Sequence, residues 1–310
     1  MNGLDLARGY YEDCGKPLLE SEFADLLPCL AVGFVGSGSE HYGFDDEVSR
    51  DHDFEPGFCI FLPGEELVDR RRAFQLERAY AKLPKEYKGV SRPPISPVGG
   101  NRHGVFRTAE FYARAVGSPD ARLSLEQWLT LPDYVFAEAV NGVIFFDNYG
   151  EVTAIRERLR RMPEDIRRKR IAGNLLIMGQ AGQYNLPRCL RHGEPEAVQL
   201  ACVEFVNAAM KLLFLLRGAY MPYYKWSFHA LRELKGTEEA ARLLSALLLG
   251  GDGKSKGEII EKIAQLVSDE LCEKGYIRSP GTELERLAYS VNDTIRDGEV
   301  RNMNIFAAVN

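Results

Sequence analysis

Every strand-like segment of this chain falls before residue 150, and the residues beyond it repeat at helical spacing. Four short apolar runs read as buried strands: Ala31-Val32-Gly33-Phe34-Val35, Phe58-Cys59-Ile60-Phe61-Leu62, Gly104-Val105-Phe106-Arg107 and Gly142-Val143-Ile144-Phe145-Phe146. Past residue 150, Val198, Cys202, Phe205, Ala209, Leu212 and Leu216 recur three and four apart, one stripe of a bundle helix. Helix-length blocks there are separated by Asn185-Leu186-Pro187, His192-Gly193-Glu194-Pro195, Met221-Pro222 and Gly250-Gly251-Asp252-Gly253. The expected fold is therefore α+β, with a mixed α/β half over 1–150 and an all-helical half over 151–310. Within the first half, helices are expected over 4–14, 21–28, 65–83, from 108, and over 132–139, with a Pro- and Gly-rich loop over 91–100.

The first two strands bracket a polar loop that opens on Gly36-Ser37-Gly38-Ser39 and ends on Asp51-His52-Asp53. Side chains alternate faces along a strand, so Asp51 and Asp53 are expected to point one way and His52 the other. Two carboxylates about 5 Å apart repel by roughly 3 kcal/mol at an effective dielectric near 20. A shared proton or a divalent cation relieves that repulsion. A cation between two carboxylates, opposite a Gly-Ser turn whose amides can cradle phosphate, is equipment for nucleotide chemistry.

Gly36-Ser37, thirteen intervening residues and Asp51-x-Asp53 together resemble the signature of the nucleotidyltransferase superfamily. The longer run through Gly43-Phe44-Asp45-Asp46 and on to Pro56-Gly57-Phe58-Cys59 resembles a bacterial family of nucleotidyltransferase-like proteins catalogued as a domain of unknown function. The resemblance continues at Asn101-Arg102-His103-Gly104-Val105-Phe106, Gln180-Ala181-Gly182-Gln183-Tyr184-Asn185 and Tyr220-Met221-Pro222-Tyr223-Tyr224-Lys225-Trp226. It implies a nucleotidyltransferase-type mixed sheet with flanking helices, followed by a helical bundle as in antibiotic nucleotidyltransferases.

Carried over by position, Asp51 and Asp53 would hold magnesium, or manganese, while Gly36 and Ser37 would bind the β and γ phosphates of an NTP with help from Ser39. The implied reaction is in-line attack on the α-phosphorus with pyrophosphate leaving. The superfamily's third carboxylate has three candidates here, Glu110, Glu138 and Asp147. Glu138, in the helix before the last strand, is the expected catalytic one, although each also reads as a cap or surface acid. Lys225 is expected at the nucleotide, reaching phosphate while its aromatic neighbours stack a base or acceptor. The competing reading packs Tyr223, Tyr224 and Trp226 into the core with Lys225 directed outward.

Two other functions compete with nucleotidyl transfer. A nucleotide-binding or regulatory module without catalysis is favoured by the lack of an obvious third acid. A D-x-D glycosyltransferase would want a longer Rossmann-like half before its acid pair.

A formal charge of −6 argues against nucleic acid as the main partner. The basic run from Arg156 to Arg170 interleaves Glu157, Glu164 and Asp165, the pattern of a solvated helix face. Six scattered cysteines without C-x-x-C, and five histidines without H-E-x-x-H, argue against zinc. A cytoplasmic location is expected, because Asp5, Glu12 and Asp13 stand where a signal peptide wants a basic start and an apolar run. The apolar segments around Leu212–Leu216 and Ala246–Leu249 are too short to span a bilayer. The expected partners are an NTP and an unidentified acceptor, with a protein partner left open and no membrane.

Overall fold

The run Ala31–Phe34 forms β1, an inner strand of a four-stranded sheet, in the computed structural model, which describes residues 1–50, 54–92 and 102–309. The other strands are β2 (Cys59–Leu62), β3 (Glu86–Tyr87), β4 (Val90–Ser91), β5 (Gly104–Arg107) and β6 (Val143–Asp147). The sheet order is β5-β2-β1-β6, while β3 and β4 form a separate hairpin. β1 runs antiparallel to β2, with Ala31 opposite Phe61, and antiparallel to β6, with Val32 opposite Phe146. β2 runs parallel to β5, with Cys59 opposite Gly104, so the sheet is mixed. Every residue of β1 and β2 is buried, the continuous apolar run of strands covered on both faces.

The β6 register slips between Val32 and Gly33. A Cβ on Gly33 would stand 2.8 Å from the Val143 carbonyl oxygen, so only glycine lets the two backbones approach there.

The chain forms two compact units, residues 1–123 with 135–160, and residues 124–134 with 161–310. In the first, helices α1 (Gly3–Tyr10), α2 (Lys16–Glu22), α3 (Arg70–Tyr80) and α4 (Thr108–Val116) accompany the sheet. Tyr10, Leu19, Phe58, Ile60, Leu76 and Tyr80 belong to one buried cluster. Its Tyr80 phenol is satisfied: Oη donates to the Phe58 carbonyl at 2.8 Å and accepts from the Phe58 amide at 3.1 Å. A parallel pair needs a crossover, and between β2 and β5 the chain supplies α3 and the β3–β4 hairpin.

Two helical expectations shift. No helix spans 21–28: α1 continues through a π-helical turn at 11–15 into α2, which ends at Glu22, and turns occupy 24–29. The helix expected from Glu65 starts at Arg70, because Asp69 caps it by accepting from the Arg72 amide at 2.7 Å. The expectations placed on Asp51, His52, Asp53 and Asn101, and on positions 93–100 of the expected loop, lie outside the described residues, while Ser91 ends β4 rather than opening that loop. The next described strand after Asp53, β2, begins at Cys59.

Helices α5 (Leu125–Thr130), α6 (Asp133–Val140) and α7 (Glu151–Arg160) lead into the helical region. There α8 (Glu164–Met178), α9 (Leu186–His192), α10 (Pro195–Leu216), α11 (Tyr224–Glu233), α12 (Glu238–Leu249), α13 (Gly253–Glu273) and α14 (Leu284–Asn292) follow. Helix α8 packs against both α10 and α14. All six residues of the expected α10 stripe, from Val198 to Leu216, are buried. By length and composition α10 could cross a membrane, yet 67% of its most apolar window is buried inside the fold, as for a core helix.

The basic run departs from the expected solvated face at three positions. Arg156, Lys169 and Arg170 are buried. Each ends on oxygen atoms that replace water. Arg156 donates to the carbonyls of Val140 and Asn141 at 2.8 and 2.7 Å. Lys169 donates to Asn292 Oδ1 at 2.9 Å and to the Met303 carbonyl at 2.6 Å. Arg170 pairs with the equally buried Asp133 at 2.9 Å.

Candidate functional site

Where β1 ends, the chain turns through Gly36 (φ 136°) and Gly38 (φ 122°), backbone conformations that side chains with a Cβ rarely adopt. Asn141 holds this turn from the far side of the sequence. Its Oδ1 accepts from the Gly36 amide at 3.1 Å, and its Nδ2 donates to the Gly36 carbonyl at 2.7 Å. This two-point clamp continues the β1–β6 pairing by one side chain beyond the backbone ladder. It also takes the Gly36 amide out of use for a ligand, a consequence the sequence alone did not reveal.

Arg102 braces the turn from a second direction. Its guanidinium donates to the Ser37 carbonyl and pairs with Glu40 Oε1 at 2.6 Å. Ser39 is buried and opens a short 3-10 turn, with its carbonyl accepting from the amides of Tyr42 and Phe44 at 3.0 Å each.

Beneath the turn, the Phe34 ring meets two imidazoles, His41 at 4.1 Å and His103 at 5.1 Å between centroids. Burial holds the His41 imidazole well below its ordinary pKa, reinforced by the neighbouring His103 and the Arg102 charge. His41 is therefore neutral at pH 7. His103 Nδ1 lies 3.1 Å from Glu55 Oε1.

Glu138, on α6, is half-buried. Burial raises its carboxyl pKa, against the opposing pull of Arg102. It also acts on Tyr42, whose phenol burial pushes up first and the Glu138 charge second. Gly36, Ser37, Ser39 and Glu138 thus belong to one unit, together with Arg102 and Asn141.

The other carboxylate candidates have different surroundings. Asp147 accepts from the amides of Gly150 and Thr153 at 2.8 and 2.7 Å, capping the start of α7. Glu110 is exposed on α4. Among the described residues, no group of three or more His, Cys, Asp or Glu side chains is arranged to hold a metal ion.

Lys225 belongs to the helical unit, in the first turn of α11, and is exposed. Its ammonium lies 5.8 Å from the Trp226 ring centroid. Tyr223 and Tyr224 are exposed rather than packed into the core, with Tyr223 edge-on to Tyr134 at 5.7 Å. The same unit has a concavity of about 760 Å³ lined by Tyr276, Arg278, Ser279, Thr282, Arg286 and Asp293, and none of the residues singled out from the sequence lies on it.

Three residues at the turn escaped the sequence reading of the site: Glu40, Arg102 and Asn141. Arg102 stood within a stretch of family resemblance without a role. Asn141 precedes the run expected as the last strand, and nothing local ties it to Gly36.

Comparison with known proteins finds one partial family match and one distant structural similarity. The family described as a domain of unknown function (DUF4037) matches residues 128–227. A nucleotidyltransferase-like protein from Exiguobacterium sibiricum 255-15 is similar in structure, with 11% identity, a TM-score of 0.38, and coverage of 84% of this chain and 77% of that one. No curated protein matches the chain.

Proposed function

We propose that this chain is a nucleotidyltransferase that moves a nucleoside monophosphate from an NTP to an acceptor hydroxyl or phosphate. The observation that carries the reading is the Gly36–Ser39 turn, which leaves an inner strand of a mixed sheet through two positive-φ glycines and is braced by Asn141 and Arg102. A braced turn of this kind presents backbone amides to anions without reorganising. Because Asn141 occupies the Gly36 amide, the phosphate contacts fall to the amides of Ser37, Gly38 and Ser39 and to the Ser37 hydroxyl.

In this reading Asp51 and Asp53 hold magnesium, which neutralises phosphate charge when bound. The acceptor oxygen bonds to the α-phosphorus, the bond from that phosphorus to the α–β bridging oxygen breaks, and pyrophosphate leaves. Glu138 suits the role of the third carboxylate, since a carboxyl with a raised pKa is the better proton acceptor for the attacking oxygen.

The test is thermal stability with each of the four NTPs, with and without magnesium, on the parent protein, Asp51→Asn and Asp53→Asn. A ligand at one hundred times its dissociation constant adds about 2.7 kcal/mol of stability. A magnesium-dependent shift in the parent, lost in both variants, is the expected result. No shift with any NTP in the parent refutes the site. A second reading, nucleotide binding without transfer, is favoured by the engagement of Asp147 as a helix cap. Stoichiometric binding with no pyrophosphate release in the presence of candidate acceptors would select it.

A further inference from the structure

We propose that Glu40 is an internal anion that occupies Arg102 over the Gly36–Ser39 turn, and that a phosphate group of the nucleotide must displace it to bind. The inference rests on the nucleotide reading of the turn and adds a competitor to it.

The geometry is specific. Arg102 reaches the turn at the Ser37 carbonyl and pairs with Glu40 Oε1 at 2.6 Å. The pair lies directly against the Gly38 α-carbon, where an added Cβ would collide with the Arg102 guanidinium and with both Glu40 carboxylate oxygens. A carboxylate and a phosphate offer the guanidinium fork the same paired oxygens, so Glu40 stands where a phosphate oxyanion would be recognised.

The Glu40 carboxylate is poorly exposed, with 11% of its side chain accessible against 21% for Arg102. Its other near neighbour is His41, whose Nδ1 lies 3.5 Å from Oε1. His41 is neutral at pH 7, so Arg102 is the full charge that Glu40 satisfies in this arrangement. The stem of Glu40 is held by the start of α1, since a Cβ on Gly3 would collide with the Glu40 Cβ. Displacement of the carboxylate therefore requires rotation about the outer side-chain bonds of Glu40, beyond its fixed Cβ.

A competitor inside the protein lowers apparent affinity by the fraction of time the binding-competent state is unoccupied. If Glu40 holds Arg102 for about nine-tenths of the time, the loss is about tenfold. Removing the competitor should then tighten binding even as it weakens the fold. A purely structural ion pair predicts the opposite sign for ligand binding.

The experiment is calorimetric titration of ATP, GTP, CTP, UTP and inorganic tripolyphosphate, all with magnesium, into the parent, Glu40→Gln, Arg102→Lys and Arg102→Ala. Each variant is first checked by urea unfolding. Tripolyphosphate carries no base and reads the phosphate seat alone. The expected result is that Glu40→Gln has a lower urea midpoint but binds tripolyphosphate and the preferred NTP about tenfold more tightly, while Arg102→Lys binds more weakly than the parent. Arg102→Lys keeps the charge without the fork and serves if Arg102→Ala does not fold. Binding by the parent that Glu40→Gln leaves unchanged or weakens overturns the displacement and leaves the nucleotide site standing. No binding of any probe by the parent or by Glu40→Gln overturns both.

Discussion

Asn141 and Gly36 are 105 residues apart and exchange two hydrogen bonds, which makes a side chain the last rung of the sheet at the candidate site. The neighbouring His41 shows how burial at this turn reaches solution behaviour. Its folded pKa lies well below the ordinary value of 6.5, chiefly through burial. Below pH 6.5 the unfolded chain takes up a proton that the folded state refuses, so the His41 contribution is complete above that pH and is lost as pH falls toward the folded pKa. The slope is at most about 1.4 kcal/mol per pH unit. Glu138 works in the other sense, since its raised pKa favours the folded state below about pH 4.5 and less so above it. Urea midpoints between pH 7.5 and 5.5 should therefore fall more steeply in the parent than in His41→Gln. Parallel curves for the two proteins would show that His41 takes up its proton at the same pH in the folded and the unfolded chain, so that burial does not shift it.

At the scale of elements, α8 departs most from its sequence pattern. Its run Arg167-Arg168-Lys169-Arg170 looks like a solvated face, yet Lys169 and Arg170 are buried. Arg170 meets Asp133 at 2.9 Å and also donates to the Trp128 carbonyl at 3.2 Å, tying α8 to the segment that carries α5. Removing one partner of a buried pair leaves an uncompensated charge, which costs about 3–5 kcal/mol. Asp133→Asn should lose that much in urea unfolding at pH 7, and a loss below about 1 kcal/mol would mean that the carbonyl contacts alone satisfy Arg170. Lys169 plays the same part at the other side of the helix, where its ammonium gathers Asn292 and the Met303 carbonyl. Periodicity cannot reveal such cations, because hydropathy assigns every Lys and Arg to solvent and the carbonyls that receive them come from remote segments.

At the scale of the whole chain, residues 124–134 belong with 161–310 although 135–160 belong with the N-terminal unit. A fragment of residues 161–310 therefore lacks Asp133, the partner of Arg170. It should unfold at lower urea than the helical unit of the full chain, and a peptide spanning 122–136 should raise its midpoint while the same peptide with Asp133→Asn should not. An unchanged midpoint in the bare fragment would make segment 124–134 dispensable. The strands β1, β2, β5 and β6 and the α10 stripe are legible in the sequence, because their apolar runs and three-and-four spacing are local properties of backbone geometry. The sequence by itself also determined the division into a strand-bearing first half and a helical remainder, and it marked Gly36 and Gly38 as a turn. Only the tertiary structure decided that β5 joins β2 in parallel, that β6 lies beside β1, that Asn141 claims the Gly36 amide, and that Arg102 and Glu40 share the space above Gly38. Those facts join residues tens to a hundred positions apart, and such partners are selected by burial and hydrogen-bond satisfaction in the assembled chain, which no local pattern encodes.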